Sequence, residues 1–148
     1  MAYVDKQLTV ADEQAVTATA VSTNFFDSGA TPPIRDVGAG QEVYMVFTVD
    51  EAVTAAGAAT VTFEVVQADD AAGTTNVEVL AASAAIGKAA LTLGAEPFAV
   101  VLPSNTRRFI GARFTVATGP LTAGKFTAGM QLDRTKTKNY ASGYPNAY

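Results

Sequence analysis

"ATVTFEVV", residues 59–66, alternates apolar and polar side chains, and this alternation decides the fold class. Its apolar members Val61, Phe63 and Val65 fall on one side of an extended chain, and the threonines and Glu64 fall on the other. A period of two is typical of a half-buried β-strand with one face in the core. The stretch therefore predicts a strand, and the rest of the chain repeats the pattern.

Further strands are predicted on both sides of this one. "KFTAGMQLD" (125–133) places Phe126, Ala128, Met130 and Leu132 on its inner face. "EVYMVFTV" (42–49) is apolar on both faces, which predicts a central strand or one covered by a partner. The remaining strand candidates are 15–21, 77–80 and 98–102, and the alanine-rich stretch 80–91 is interpreted as loop or strand. Glycine and proline clusters separate them, so we expect an antiparallel sandwich or barrel.

Composition excludes several function classes. The chain has 148 residues, with no cysteine and no histidine. Disulfides, serine–histidine–acid catalysis and cysteine–histidine catalysis are therefore impossible, and a zinc site would need carboxylates alone. The opening "MAYVDKQLTVADEQ" does not predict a signal peptide, and no apolar run is long enough for a membrane helix.

Three acidic pairs could carry chemistry: Asp12–Glu13, Asp50–Glu51 and Asp69–Asp70. A carboxylate-only glycosidase needs two acids facing across a cleft, whereas adjacent residues splay apart, so each pair is interpreted as a solvated turn. "ADDAAGTTN" (68–76) lacks the spacing of a calcium loop, and "GAGQE" (38–42) is interpreted as a turn rather than a phosphate cradle. No catalytic, cofactor-binding or metal-binding residue is predicted.

"RRFIGARFTV" (107–116), called here the arginine segment, concentrates three of the ten basic residues. As a strand it has a core face from Ile110 onward and an outer face carrying Arg107, Phe109 and Arg113. The outer face could stack nucleic acid, pair with carboxylates of its own chain, or contact another protein. The acidic remainder of the chain opposes binding to nucleic acid. If the outer face is a protein interface, we expect Arg113→Glu to weaken assembly and to leave folding almost intact.

Charge is divided unevenly along the chain. Residues 1–100 hold 13 acids and 3 bases, whereas residues 101–148 hold 1 acid and 7 bases. The division suits charge-matched protein contacts, although a chance split of solvated charges explains it equally well. The last stretch, 134–148, has no apolar periodicity and is interpreted as an extended tail whose tyrosines suit an interface. The candidate interface residues are Arg107, Phe109, Arg113, Arg134, Lys136, Lys138, Tyr140, Tyr144 and Tyr148.

The order of several blocks resembles a known family. "AVTATAVSTNFFDSG", "RDVGAGQEVYMVFTVD", "AATVTFEVVQADD", "LPSNTRRFIGARFTV" and "GKFTAGMQLD" are similar, in this order, to the capsid cement (decoration) proteins of short-tailed bacteriophages of the Bordetella-phage type. The resemblance covers roughly residues 5–133.

The resemblance implies an all-β, antiparallel jelly-roll-like β-sandwich with extended terminal arms. It implies one domain over 1–133, including a short N-terminal arm, followed by the tail 134–148. It further implies a non-enzymatic virion protein, made in the host cytoplasm, that binds the outer capsid surface as a homo-oligomer, a dimer, and bridges capsomers of the major capsid protein. No nucleic acid, membrane or cofactor is expected as a partner. The alternative is a carbohydrate-binding jelly-roll module on a virion surface.

Overall fold

The alternating stretch 59–66 lies in a central strand of one sheet. A computed structural model describes residues 5–30, 37 and 40–132. Val61, Phe63 and Val65 have no exposed surface, whereas Thr62 and Glu64 are half-buried. The prediction of a half-buried strand is confirmed.

The described residues form an all-β structure of ten strands and two short 3₁₀ turns, Lys6–Leu8 and Lys88–Ala90. None of the helical turns in these residues is long and apolar enough to cross a membrane. The strands are β1 (Thr9–Ala15), β2 (Ala20–Val21), β3 (Phe26–Asp27), β4 (Tyr44–Thr54), β5 (Thr60–Ala68), β6 (Glu78–Ala82), β7 (Ile86–Gly87), β8 (Phe98–Val101), β9 (Phe109–Ala117) and β10 (Ala123–Gln131).

The strands form two antiparallel sheets. Sheet A has the order β1-β10-β4-β8, and sheet B has the order β2-β9-β5-β6, with β3 added to β9 and β7 added to β5. If the two-residue strands β3 and β7 are set aside, the chain crosses between the sheets at every step except from β5 to β6, which pair within sheet B, and this is the strand order of a jelly roll. The predicted all-β sandwich is confirmed. The predicted tail 134–148 lies outside the described residues, as do residues 1–4 of the chain's N-terminal end.

The stretch that is apolar on both faces is an internal strand. β4 pairs with β10 on one side and with β8 on the other. Met45, Phe47 and Val49 are directed into the core, and Val46 on the opposite face is only 5% exposed. The prediction of a central strand is confirmed.

Four phenylalanines join the sheets at the centre of the core. Phe47 and Phe126 come from sheet A, and Phe63 and Phe114 come from sheet B; all four are fully buried. The Phe47 and Phe63 ring centroids lie 5.5 Å apart, and those of Phe63 and Phe126 lie 5.2 Å apart, both pairs edge to face. This geometry is favourable for aromatic pairs beyond their burial. The cluster fixes how the two sheets lie on each other.

Two predictions about strands were wrong, and the interpretation of the alanine-rich stretch is confirmed. The predicted strand at 15–21 was wrong, because β1 ends at Ala15 and the chain crosses to the other sheet before β2 begins at Ala20. Leu132 was expected inside but lies beyond the end of β10 and is 58% exposed. The interpretation of 80–91 as loop or strand is confirmed by β6, β7 and a single 3₁₀ turn.

Candidate protein-interaction surface

The arginine segment forms β9 and divides into the two predicted faces. Ile110, Ala112 and Phe114 have no exposed surface and belong to the core cluster. The opposite face lies on the outside of sheet B, between β5 on one side and the short strands β2 and β3 on the other. Strand alternation, readable from sequence, accounts for this division.

Arg113 pairs with a carboxylate of its own chain. It lies directly opposite Glu64 on β5, and its Nε donates to Glu64 Oε2 at 2.5 Å, while Thr115 Oγ1 donates to the same oxygen at 2.8 Å. Burial alone would raise the pKa of Glu64, but the hydrogen bonds from Arg113 and Thr115 outweigh it and lower that pKa. The same hydrogen bond raises the pKa of Arg113. With the Glu64 side chain only 13% exposed, this pair is mostly committed within the protein.

Arg107 lies at the end of sheet B, in a network around the β5–β6 loop. Its backbone N–H donates to Gln67 Oε1 at 2.8 Å, and its guanidinium donates to the carbonyl oxygen of Asn76. The guanidinium also lies 3.8 Å from the carboxylate of Asp69 and 3.4 Å from that of Glu78. Arg107 therefore joins the start of β9 to the loop, and its side chain stays 38% exposed.

Arg108 makes the bidentate pair that sequence analysis missed. Its Nε and one terminal nitrogen donate to the two carboxylate oxygens of Asp27 at 2.7 and 2.8 Å, and its guanidinium carbon lies 4.7 Å from the centroid of the Phe109 ring. The hydrogen bonds from Arg108 and from the backbone of Gly29 lower the pKa of Asp27 to about 2. The partners are separated by 81 residues, so no local spacing signalled the pair.

Phe109 lies on the predicted outer face but is only 8% exposed. Nearby on that face, the ring of Phe25 occupies the space above two glycines. A Cβ added at Gly111 would lie 2.5 Å from that ring, and one added at Gly73 would lie 2.2 Å from it. The Phe25 ring thus covers part of the outer face, and Phe109 offers little free aromatic surface.

Six of the nine predicted interface residues belong to the tail. These six, Arg134, Lys136, Lys138, Tyr140, Tyr144 and Tyr148, lie outside the described residues. Their role as interface residues stays a prediction, as does that of the exposed parts of Arg107 and Arg113.

One of the three acidic pairs lies in a turn as predicted, and the other two lie within strands. Asp69–Asp70 follows β5 in a loop, where Asp70 accepts hydrogen bonds from the backbone of Thr74 and Thr75 at 2.8 and 2.7 Å. The turn interpretation was wrong for the other two pairs, which lie within β1 and β4 beside register shifts of the ladders. Such shifts bend a strand without ending it. In the described part of the chain, no group of three acids is placed to hold a metal ion.

A shallow cavity of about 330 Å³ opens beside β1 and β10. It is lined by Lys6, Thr9, Asp12 and Thr127. Thr127 is held in place because its Oγ1 donates to Asp50 Oδ2 at 2.5 Å and accepts from the backbone of Glu13 at 3.0 Å. The lining offers one cation, Lys6, and one carboxylate, Asp12, so the cavity suits a polar ligand group.

Comparison with known proteins gives one family. The family model described as Bbp16 matches residues 10–130, from the second residue of β1 to the last but one of β10, and so takes in both sheets. No curated protein matches the chain.

Proposed function

The chain belongs to the Bbp16 family, and on that premise we propose that it is a structural protein of a phage virion. In this proposal it binds the outer surface of the capsid, bridges neighbouring capsomers of the major capsid protein, assembles with copies of itself, and acts by binding rather than catalysis. The family name suggests a Bordetella phage protein, which is consistent with a virion role. The family match across both sheets is the observation that carries the proposal.

The packing of the sandwich supports this role. The phenylalanine cluster joins both sheets, and ion pairs link neighbouring strands across sheet B. A protein that bridges capsomers must resist deformation when force acts on the capsid, and a closely packed core provides this resistance. Each contact with the shell can be modest, since repeated attachment on a lattice multiplies affinity.

The described surface also offers apolar contact points. Four large hydrophobic side chains are exposed in the described residues, three of them on or next to edge or terminal strand positions and Leu93 in the loop before β8: Val79, Leu93, Val101 and Leu132. Together with the basic tail, Leu93, Val101 and Leu132 are the side chains that we propose to meet the shell.

Reconstitution on capsids tests the proposal. Capsids assembled without this protein are mixed with the purified full chain, and binding is followed by sedimentation while heat resistance is followed by release of packaged DNA. We expect saturable binding, a higher release temperature, and density on the outside of the particle bridging capsomers. Failure to bind, together with unchanged heat resistance, would refute the proposal.

A variant with an uncharged tail tests whether the tail or the sandwich binds the shell. Replacing Arg134, Lys136 and Lys138 by glutamine removes three charges and keeps chain length. If the basic tail meets an acidic region of the shell, this variant binds more weakly at low salt and approaches the wild type at high salt. Equal binding at both salt concentrations would restrict the contact to the sandwich.

A further inference from the structure

The edges of the two sheets differ in how they are protected against pairing with another chain. An edge strand presents unpaired N–H and C=O groups, and proteins cover such edges with proline, charge, bulges or short strands. β8, at one edge of sheet A, is four residues long and lies between Pro97 and Pro103. Because proline has no N–H, this edge can extend little beyond its two ends.

The edges formed by β1 and β2 are closed by side-chain and loop contacts. Gln14 on β1 donates through Nε2 to the carbonyl oxygen of Val21 at 2.9 Å, and its Oε1 accepts the N–H of Thr23 at 3.0 Å. The N–H of Asn24 also donates to the carbonyl oxygen of Val10 at 2.9 Å. The side chain of Gln14 thus bridges the edges of the two sheets where a further strand would otherwise add.

The remaining edge of sheet B has no proline and is not covered by another strand of the described residues, although the β5–β6 ladder shifts register beside Leu80. β6 and β7 both pair with β5, through Glu64↔Ala82 and Val61↔Ile86, so together they form one edge from residue 78 to residue 87. The N–H of Ser83 between them donates to the carbonyl oxygen of Phe63 on β5 at 2.9 Å, so Ser83 also follows β5, with one extra residue between it and the Val61↔Ile86 pair. Between Glu78 and Lys88 the sequence contains no charge and no proline.

Backbone groups on this edge are directed away from the sheet. Ser83 and Lys88 donate their N–H groups toward the β5 side, to Phe63 and Ala59. In an antiparallel ladder the direction alternates, so the adjacent Ala82 and Gly87 direct their groups to the open side. Both are exposed, and no strand of the described residues pairs there.

The charges at the two ends of this edge are opposite. The Glu78 side chain is 60% exposed, and its contacts with Gln67 and Arg107 both use Oε2. Lys88 donates through Nζ to the carbonyl oxygen of Ala55 at 2.6 Å and has no carboxylate within salt-bridge distance among the described residues. Ser83 lies midway between these two residues in sequence.

We propose that the β6–β7 edge pairs antiparallel with the same edge of a second copy of this chain, which extends sheet B across a two-fold axis near Ser83. This arrangement places Glu78 of each copy beside Lys88 of the other, with the uncharged stretch between them. A two-fold interface must be complementary to itself, and an edge with an acid at one end and a base at the other satisfies that condition. The proposal rests on the self-assembly included in the proposed function and names its surface.

Two matched valines test the edge. Val79 on β6 and Val101 on β8 are each 39% exposed on edge strands of different sheets. Dimerisation of the full chain is measured by sedimentation equilibrium without capsids. We expect Val79→Lys, which brings a cation near Lys88 of the second copy, to raise the dimer dissociation constant about 100-fold or more, and Val101→Lys to leave it unchanged. Thermal unfolding of both variants verifies that each still folds.

A charge exchange tests the register. Glu78→Lys and Lys88→Glu should each weaken the dimer, and the double variant should restore it if these residues face each other across the axis. A wild type that stays monomeric, a dimer that survives Val79→Lys, assemblies larger than dimers, or a double variant no tighter than the singles would each overturn the proposal. A monomer whose capsid binding is lost with Val79→Lys would assign the edge to a strand of the shell protein instead. Because dimerisation is measured without capsids, failure of capsid binding alone leaves this result unaffected.

Discussion

Glu64 and Arg113 lie directly opposite each other on β5 and β9, and Arg113 Nε is 2.5 Å from Glu64 Oε2. The pair lies on the outside of sheet B, yet its side chains are only 13% and 30% exposed. A cross-strand pair of opposite charge stabilises a sheet, and partial burial makes loss of one partner costly. The contact therefore belongs to the fold, and a partner that used Arg113 would have to compete with Glu64.

Removal of the Arg113 side chain should destabilise the protein. We expect Arg113→Ala to lower the free energy of unfolding by about 1–3 kcal/mol, because it leaves the Glu64 carboxylate half-buried without its cation. Urea denaturation measures the change. Arg108→Ala is the matched control: its pair with Asp27 is 43% exposed on both sides, so water replaces the lost contact and the loss should be clearly smaller. Equal losses would show that burial does not distinguish the two pairs.

The effect of Arg113→Glu changes with this geometry. From sequence it was expected to leave folding almost intact, but it would set a second carboxylate against Glu64 at hydrogen-bond distance. We now expect it to destabilise the fold at least as much as Arg113→Ala at neutral pH, with partial recovery in the double variant Glu64→Arg, Arg113→Glu. Denaturation of the three variants tests this, and any study of their assembly needs it as a control.

Stability should fall on acidification, and Glu64 and Asp27 should contribute to the fall. The fold lowers the pKa of Glu64 below its ordinary value of 4.5, and it lowers the pKa of Asp27 from 3.8 to about 2. The unfolded chain therefore binds these protons more tightly than the folded protein does. Their stabilisation is complete above about pH 4.5 and is lost as the pH falls through the lowered values. Unfolding free energies between pH 6 and pH 2 should therefore fall less steeply for Glu64→Gln and for Asp27→Asn. Curves parallel to the wild type would contradict this.

Removal of a central phenylalanine should cost more than any surface change. Phe63 is fully buried against Phe47, Phe114 and Phe126, so Phe63→Ala should leave a cavity between the sheets and cost about 3–5 kcal/mol of unfolding free energy. Leu93→Ala removes a side chain that is 71% exposed and should change the unfolding free energy by less than about 0.5 kcal/mol. Calorimetry of both variants measures the difference, and similar melting temperatures would contradict the central role of the cluster.

Strand faces were predictable from sequence because the period of two is a local property. The core residues of β5 and β9 and the internal position of β4 follow from which neighbours are apolar. The break after Ala15 was not predictable in this way, because alternating strand-favouring residues (15–21, rich in valine and threonine) continue while the chain changes sheets. Local pattern does not report where a chain crosses between layers.

Partners of the outer face were less predictable, since they come from distant parts of the chain. Arg108 meets Asp27 across 81 residues, and the ring that covers Gly111 is that of Phe25, which comes from the connection between β2 and β3. The sequence offered a weak signal for this contact: Gly111 interrupts a strand of larger residues, and glycine in a strand often marks a close approach.

Phe25 and Gly111 form a steric pair that a single methyl group should disrupt. Gly111 is buried on β9, and a Cβ there would lie 2.5 Å from the Phe25 ring. We expect Gly111→Ala to cost about 1–3 kcal/mol of unfolding free energy, because the ring must leave its place on the outer face of sheet B. If the clash is the cause, adding Phe25→Ala to Gly111→Ala should cost less than the two single losses combined, since the residues share one space.

Gly87→Ala is the matched control for backbone effects. A Cβ at Gly87 meets nothing within 4 Å, and the residue has an extended φ of −69°, which alanine adopts without strain. We expect its unfolding free energy to stay within about 0.5 kcal/mol of the wild type. If the losses of unfolding free energy caused by Gly111→Ala and Phe25→Ala were instead additive, the loss at Gly111 would arise from the backbone of β9 and not from the Phe25 ring.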